Sequence, residues 1–237
     1  MTPNTPCLVE LSILDTFALR RLGQPLQVGA SGERLLALLA LHGRPASRKT
    51  VAGKLWPEKP DGRAAGNLRS VLWRVPAGLV EATGTHLALA AHVRCDVVEF
   101  LARARRLIDG TMTPADLDHQ LYSADLLPNW SEDWVAIERE RIRPLRIHAL
   151  DALSARLTEA GRYSDAIAAG LTAVAAEPLR ESAHRMVISA HLAEGNRSEA
   201  LRQYERFRAL LAAELGLEPS PQLTALIRCA TRRVTAG

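Results

Sequence analysis

The sequence predicts two modules of different class, an α+β module over residues 1–95 and an all-α module over residues 96–237. Three observations lead there. Short alternating apolar and polar stretches, the pattern of half-buried strands, occur only before Asp96. Beyond Asp96 apolar residues recur at helical spacing, with Gly and Pro between the runs. Charge divides the same way: residues 1–95 hold 12 Lys/Arg against 6 Asp/Glu, whereas residues 96–237 hold 18 against 20.

The elements follow in order. Leu8–Leu14, Phe17–Arg21 and Leu26–Val28 read as three short antiparallel strands, with a turn at Gly23-Gln-Pro25. Ser31 is the expected N-cap of a buried helix over Glu33–His42, which Gly43 ends. Ser47 caps a second helix, Arg48–Leu55, stopped by Trp56-Pro57. Asp61 is the expected N-cap of a third helix, which Pro76 and Gly78 end early. Leu79–Leu89 then reads as a hairpin with Gly84-Thr85 at its tip. Helices are expected near 97–109, 114–122, 132–160, 163–176, 180–193, 197–214 and 220–233, with Pro144 kinking or splitting the long one.

Three helices followed by a small hairpin is the order of a winged helix-turn-helix, in which a helix fills the DNA major groove and the hairpin touches the flanking backbone. In the third helix Leu68, Val71, Leu72 and Val75 share one face at i, i+3, i+4, i+7 spacing. The other face carries Arg63, Gly66, Asn67, Ser70, Trp73 and Arg74, which burial does not call for. Arg69 and Arg74 can bond guanine bidentately and Asn67 adenine, with Arg69 near the flank, where phosphate is the alternative. Ser70 is central and small. Trp73 either lies against sugar or a thymine methyl, or folds back under the wing as core. Arg48, Lys49 and Thr50 open the second helix, whose N-terminus can face a phosphate. Thr83, Thr85 and His86 sit on the wing. An ordinary solvated helix face is the competing reading of these charges.

Composition narrows the function classes. No run of eighteen apolar residues exists, and Met1-Thr-Pro-Asn-Thr-Pro-Cys7 lacks a basic or apolar leader pattern, so a cytoplasmic protein without membrane contact is expected. Cys7, Cys95 and Cys229 are odd in number and widely spaced, as suits a reducing compartment. No Gly-rich phosphate loop, nucleophile elbow or paired-histidine motif appears, so neither an enzyme nor a cofactor is expected. His86, His92 and Cys95 fit no zinc spacing, so no metal is expected either. Trp130 and Trp134, one helical turn apart, read as core or interface anchors, and Glu138-Arg-Glu-Arg141 reads as a solvated helix face.

A weak internal repeat lies in the second half. Gly161-Arg-Tyr-Ser-Asp-Ala-Ile167 matches Gly195-Asn-Arg-Ser-Glu-Ala-Leu201 at an offset of 34 residues, the period of tetratricopeptide helical hairpins. Ala166 and Ala200 are small enough for paired helices to approach closely, and such stacks bind proteins or join subunits.

Four stretches together are familiar: Leu68-Arg-Ser-Val-Leu-Trp-Arg-Val75; Asp133-Trp-Val135 with Glu138-Arg-Glu-Arg-Ile142; Ala176-Glu-Pro-Leu-Arg-Glu-Ser-Ala-His-Arg185; and Glu199-Ala-Leu-Arg-Gln-Tyr-Glu-Arg-Phe207 with Glu214-Leu-Gly-Leu-Glu-Pro-Ser-Pro221. From about Leu8 to Leu226 the chain resembles the antibiotic-regulatory-protein (SARP-type) activators of bacteria. The resemblance implies an OmpR-type winged helix-turn-helix over 1–95 joined to a tetratricopeptide-like bacterial transcriptional activator domain over 96–237. It implies a regulator that binds tandem repeats in double-stranded promoter DNA as a head-to-tail pair, is associated with the nucleoid when bound, and contacts the sigma and alpha subunits of RNA polymerase. By the same analogy the loop bearing Glu58 and Lys59, flanked by Lys54, meets polymerase. The chain departs from the pattern at Pro76, which shortens the third helix by about a turn. That departure supports the alternative of a helical-repeat interaction adaptor whose winged domain no longer binds DNA.

Overall fold

The structure, a computed structural model, describes residues 9–118 and 122–232. Cys7, Leu8, positions 119–121 of the helix expected at 114–122 and position 233 of the one expected at 220–233 lie outside the described residues. The chain folds as two compact units. One comprises residues up to Ala102 together with Ala124–Arg141, the other Arg103–Ser123 together with the chain from Ile142 onward.

In the first unit, β1 (Val9–Ser12), β2 (Ala18–Arg21) and β3 (Gln24–Pro25) form an antiparallel meander. The third strand comes earlier than the expected Leu26–Val28. The reason is the turn: Leu22 (φ 53°) and Gly23 (φ 78°) are both left-handed, as a two-residue type I′ hairpin requires, so the return strand starts at Gln24. Pro25 is tolerated because β3 is the edge strand. β7 (Val93–Cys95), absent from the expected elements, adds to the far side of β1 in parallel, giving the order β3-β2-β1-β7.

α1 (Ala30–His42) begins before the expected Ser31 cap. Gly29 is its N-cap, and the Gly29 carbonyl accepts from the N–H groups of Gly32 and Glu33. Gly43 ends it in the left-handed region at φ 66°. A two-residue strand, β4 (Ala46–Ser47), also unexpected, leads into α2 (Arg48–Leu55). α3 spans Asp61–Arg74. Its N-cap is Pro60, not Asp61; Asp61 occupies the first turn, where its charge suits the positive end of the helix. The hairpin is β5 (Val80–Thr83) and β6 (His86–Leu89), turning at Gly84-Thr85 as expected, and β4 completes a second sheet in the order β4-β6-β5. α1 is the pivot of this unit. Its Leu35, Leu36 and Leu39 are fully buried, and it packs against α2, α3 and β6.

α4 (Asp96–Asp109) starts at Asp96, whose carboxylate accepts from the backbone N–H groups of Ile13, Leu14 and Val97 at 2.7–3.1 Å. Segment 124–130 belongs to the first unit because it pairs with the chain after β1: Leu127 N–H donates to Ile13 (3.0 Å) and Asp15 N–H to Asp125 (2.6 Å). Arg139 locks that segment, donating to the carbonyls of Leu126 (2.7 Å), Leu127 and Trp130 (2.9 Å). The Glu138–Arg141 run is therefore more than a solvated face. Half-buried Trp130 stacks on Phe17 and meets buried Trp134 edge-on, so the pair, expected as core or interface anchors, packs within this unit.

The other unit is helical. Where a helix is expected at 114–122, the described residues begin with a 3₁₀ turn, Pro114–Leu117, organised around buried Asp116. Asp116 accepts from Arg106 Nη2 (2.5 Å) and Nε (3.0 Å) and from the N–H and hydroxyl of Thr113. These bonds, Arg106 first, hold its carboxyl well below the usual carboxylate range. α5 (Asp133–Glu159) runs through Pro144 as one helix, so of the two expected effects, a kink or a split, the split does not occur. α6 (Tyr163–Ala176), α7 (Glu181–Glu194), α8 (Arg197–Leu215) and α9 (Pro221–Arg232) pack each on the next. Gly161 and Gly195 turn the chain with positive φ, and Ala166 and Ala200 are fully buried, as the 34-residue repeat predicts.

Candidate nucleic-acid interface

The surface built by α2, α3 and the β5–β6 hairpin starts from a capped helix. Ser47 Oγ accepts from Thr50 N–H at 3.0 Å and meets the Thr50 hydroxyl at 2.8 Å, so Thr50 is engaged in the cap while staying exposed. Arg48 ties the start of α2 to the hairpin tip, its N–H donating to Thr85 (2.8 Å) and its Nε to Gly84 (3.4 Å). The β4–β6 ladder sets Ser47 opposite His86. The first turn of α2 and the Thr85-His86 tip, remote in sequence, thus form one edge. There the Thr85 hydroxyl and His86 Nδ1 lie 3.2 Å apart.

α3 is held by one face. Ala64, Leu68, Val71 and Val75 are buried, while Leu72 is only half-buried. Arg63, Arg69, Ser70, Trp73 and Arg74 are exposed, and Asn67 is half-buried. Trp73 is 89% exposed, which removes the alternative in which it folds under the wing as core. Arg69 and Arg74 flank the exposed face on opposite sides. Arg69 lines a groove of about 600 Å³ shared with Arg48, Lys49, Asp61 and Gly62, and Arg74 borders the hollow at Val28–Gly32. Arg74 folds back along α3, its Nε donating to the Ser70 carbonyl at 3.1 Å. Lys49 pairs with Asp61 at 3.1 Å, but both side chains are over four-fifths exposed, so the pair adds little stability and its charge stays presented to solvent. Glu58, Lys59 and Lys54 are all exposed around the turn between α2 and α3.

Sequence reasoning missed Arg34. It lies in apolar α1, donates Nη2 to the carbonyl of Leu55 at 2.9 Å and pairs with Glu132 at 2.9 Å. It thereby satisfies a carbonyl at the end of α2. An arginine inside an otherwise apolar helix was the available signal. Also missed was a cleft of about 840 Å³ with Lys49, Thr50, Lys54 and Pro57 on one wall and Ser131–Trp134 and Ile137 on the other. Nearby, burial, reinforced by the positive charges of Arg44 and Lys54, pushes His42 below its ordinary value. Among the described residues no cluster of three or more His, Cys, Asp or Glu could hold a metal, and no helix is long and apolar enough to cross a membrane.

Residues 88–229, more than half the chain, match the family described as the bacterial transcriptional activator domain. The chain belongs to that family. Its relatives include the regulatory protein AfsR of Streptomyces coelicolor, 28% identical over 92% of this chain and 24% of that protein, and AfsR of Streptomyces griseus, 25% identical over 95% and 25%. The chain thus spans about a quarter of the length of these two relatives. The transcriptional regulatory protein MoaR1 of Mycobacterium tuberculosis is 22% identical over 95% of this chain and 80% of its own length. In fold the chain resembles Mycobacterium tuberculosis EmbR, solved in complex with a low-affinity phosphopeptide, with a TM-score of 0.73 at 21% identity over 95% of this chain and 65% of that one. The SARP-type resemblance and the winged-helix-then-helical fold class both stand on these matches.

Within the family region His184, Glu181 and Ser220 of the quoted motifs make packing and capping contacts. His184 is buried and stacks on Phe207 at 4.2 Å. Its Nε2 lies 2.8 Å from the Pro178 carbonyl and its Nδ1 3.0 Å from the Gln203 amide nitrogen, so a neutral ring donates to the first and accepts from the second. Burial pushes its pKa down, against smaller upward effects of the Pro178 carbonyl and Glu181. Glu181 accepts from Ser220 N–H (2.8 Å) and from its hydroxyl, while Ser220 Oγ accepts from Leu223 N–H at 3.2 Å and so caps α9.

Proposed function

We propose that this chain is a sequence-specific, DNA-binding transcriptional activator. In this reading residues 1–95 bind promoter repeats and residues 96–237 form the helical domain that couples them to a partner copy and to RNA polymerase. The observation that carries it is the outward face of α3. Arg63, Arg69, Ser70, Trp73 and Arg74 are exposed there, and the hairpin tip is fastened to the start of α2 by Arg48. The fold does not use these side chains for packing, and a helix and wing so presented suit a major groove and its flanking phosphates. Asn67, Arg69 and Arg74 are the base-reading candidates. Arg48, Lys49, Thr50, Arg63, Thr85 and His86 are the backbone candidates, and Glu58 with Lys59 the polymerase-facing pair. The names of the regulatory relatives support this reading.

The test is a mobility-shift titration on the DNA upstream of the protein's own gene, at about 50 and 200 mM salt. A module neutralising about four phosphates loses roughly a hundredfold in affinity between them. The rival is an interaction adaptor, favoured by Pro76. Yet α3 keeps fourteen residues, about 21 Å of helix, enough to cross a groove about 12 Å wide. An adaptor gives no shift beyond that seen with nonspecific competitor.

A further inference from the structure

Trp73 is the most exposed large apolar side chain among the described residues. At about 100° per residue it stands roughly opposite the buried line of Ala64, Leu68, Val71 and Val75. Gly62 and Gly66 lie on the same outward line, about three and two turns earlier. The fold needs glycine at neither position. A Cβ at Gly62 would meet nothing within 4 Å, and one at Gly66 only the tip of Arg69, at 3.8 Å. Glycine weakens a helix relative to alanine. These two therefore leave α3 smooth near its start for no internal reason, and one indole projects near its end.

The surroundings of the indole are cationic. Arg69 flanks it on the α2 side and Arg74 on the other, with Arg63 earlier on the exposed face. Asp61, the helix's one carboxylate, is paired with Lys49. An apolar plate set among arginines complements a polyanion that offers an apolar contact. In the major groove that contact is the C5-methyl group of thymine. We propose that Trp73 is a specificity-determining residue that packs its indole against one thymine methyl at the edge of the DNA site. The proposal rests on the DNA-binding reading above. The glycine line lets the first turns of α3 approach the base edges closely, and the indole meets the duplex about 10 Å further along the helix.

The experiment begins by selecting duplexes from a random-sequence pool with the full chain. Each thymine of the enriched sequence is then replaced singly by deoxyuridine, which removes only the methyl group. Affinities are measured for the wild type, Trp73→Ala and Trp73→Phe, with circular dichroism confirming that each variant is folded. One deoxyuridine position is expected to weaken wild-type binding roughly fourfold, the effect of one buried methyl group. Trp73→Ala should lose that sensitivity at that position alone, and Trp73→Phe should keep part of it. If Trp73→Ala weakens every duplex equally while the deoxyuridine effect survives, the indole rests on the sugar–phosphate backbone and the proposal fails. If Trp73→Ala changes nothing, the residue faces a protein or solvent and the proposal fails while the DNA-binding reading stands. If the wild type enriches no sequence, both fail.

Discussion

Replacing Gly170 by alanine sets two effects of opposite sign against each other. In α6 the change alone should stabilise the helix by about 1 kcal/mol, because alanine loses less backbone entropy on folding. The packing opposes this. A Cβ at position 170 would lie 2.7 Å from Val187 Cγ2, 3.3 Å from the Val187 backbone nitrogen and 3.6 Å from Ser154 Oγ. Val187 is 1% exposed in α7, and a β-branched side chain in a helix has essentially one χ1 rotamer. Turning the methyl away is therefore costly, and no rotamer moves the backbone nitrogen. The helices must separate by several tenths of an ångström, an overpacking cost of about 2–3 kcal/mol. The clash wins, leaving Gly170→Ala about 1–2 kcal/mol less stable. For a chain of this size that is a fall in Tm of roughly 2–8 °C. Urea denaturation followed by circular dichroism measures it. The partner test is Gly170→Ala with Val187→Ala. Removing the valine methyls leaves only the 3.3 Å contact with the backbone nitrogen, so Gly170→Ala should cost less in the Val187→Ala background than in the wild type, a coupling of about 1 kcal/mol. A Gly170→Ala protein as stable as wild type would show that α6 and α7 are not in this close contact.

Further outcomes follow from the same structure. Asp116→Asn removes the charge that Arg106 and the Thr113 N–H bind and should cost about 2 kcal/mol, discounted because the Arg106 side chain is 39% exposed. Its folded pKa is depressed, so its stabilisation is complete above its ordinary value of 3.8 and is lost as pH falls below it; the variant's urea midpoint should change less with pH in that range. His184 is also depressed. Below 6.5 the unfolded chain takes up a proton that the folded ring refuses, so stability should be flat above 6.5 and decline as pH falls from 6.5 to the folded value. His184→Gln should flatten that slope, and an unchanged slope would assign it to other groups. Arg74→Ala should weaken binding to the selected DNA by about 1–3 kcal/mol in the mobility-shift assay. Identical affinity and footprint would remove Arg74 from the interface.

The residues that mark element ends were legible from sequence because their physics is local. Ser47 caps α2 through its own Thr50, Gly43 closes α1 with a positive φ, and Gly84-Thr85 turns the hairpin. The outward face of α3 was legible because helical spacing alone separates Leu68 and Val71 from Ser70 and Trp73. β4 and β7 were not. Two or three residues carry no periodic signal, and they become strands only because β6 and β1 lie beside them. Arg139 likewise reads as part of a solvated face, and Arg34 carries no reading at all, until the fold brings backbone carbonyls to them. Local backbone and periodic side-chain preferences thus indicated most of the helices, the Ser47 cap and the candidate recognition face, but not the start of α1 at Gly29 or of α3 at Pro60. Partners separated by thirty to a hundred residues settled the parallel strand and the tie between Arg48 and the hairpin tip. Such contacts cost loop-closure entropy and form only when the whole core forms, so no short window of sequence contains them.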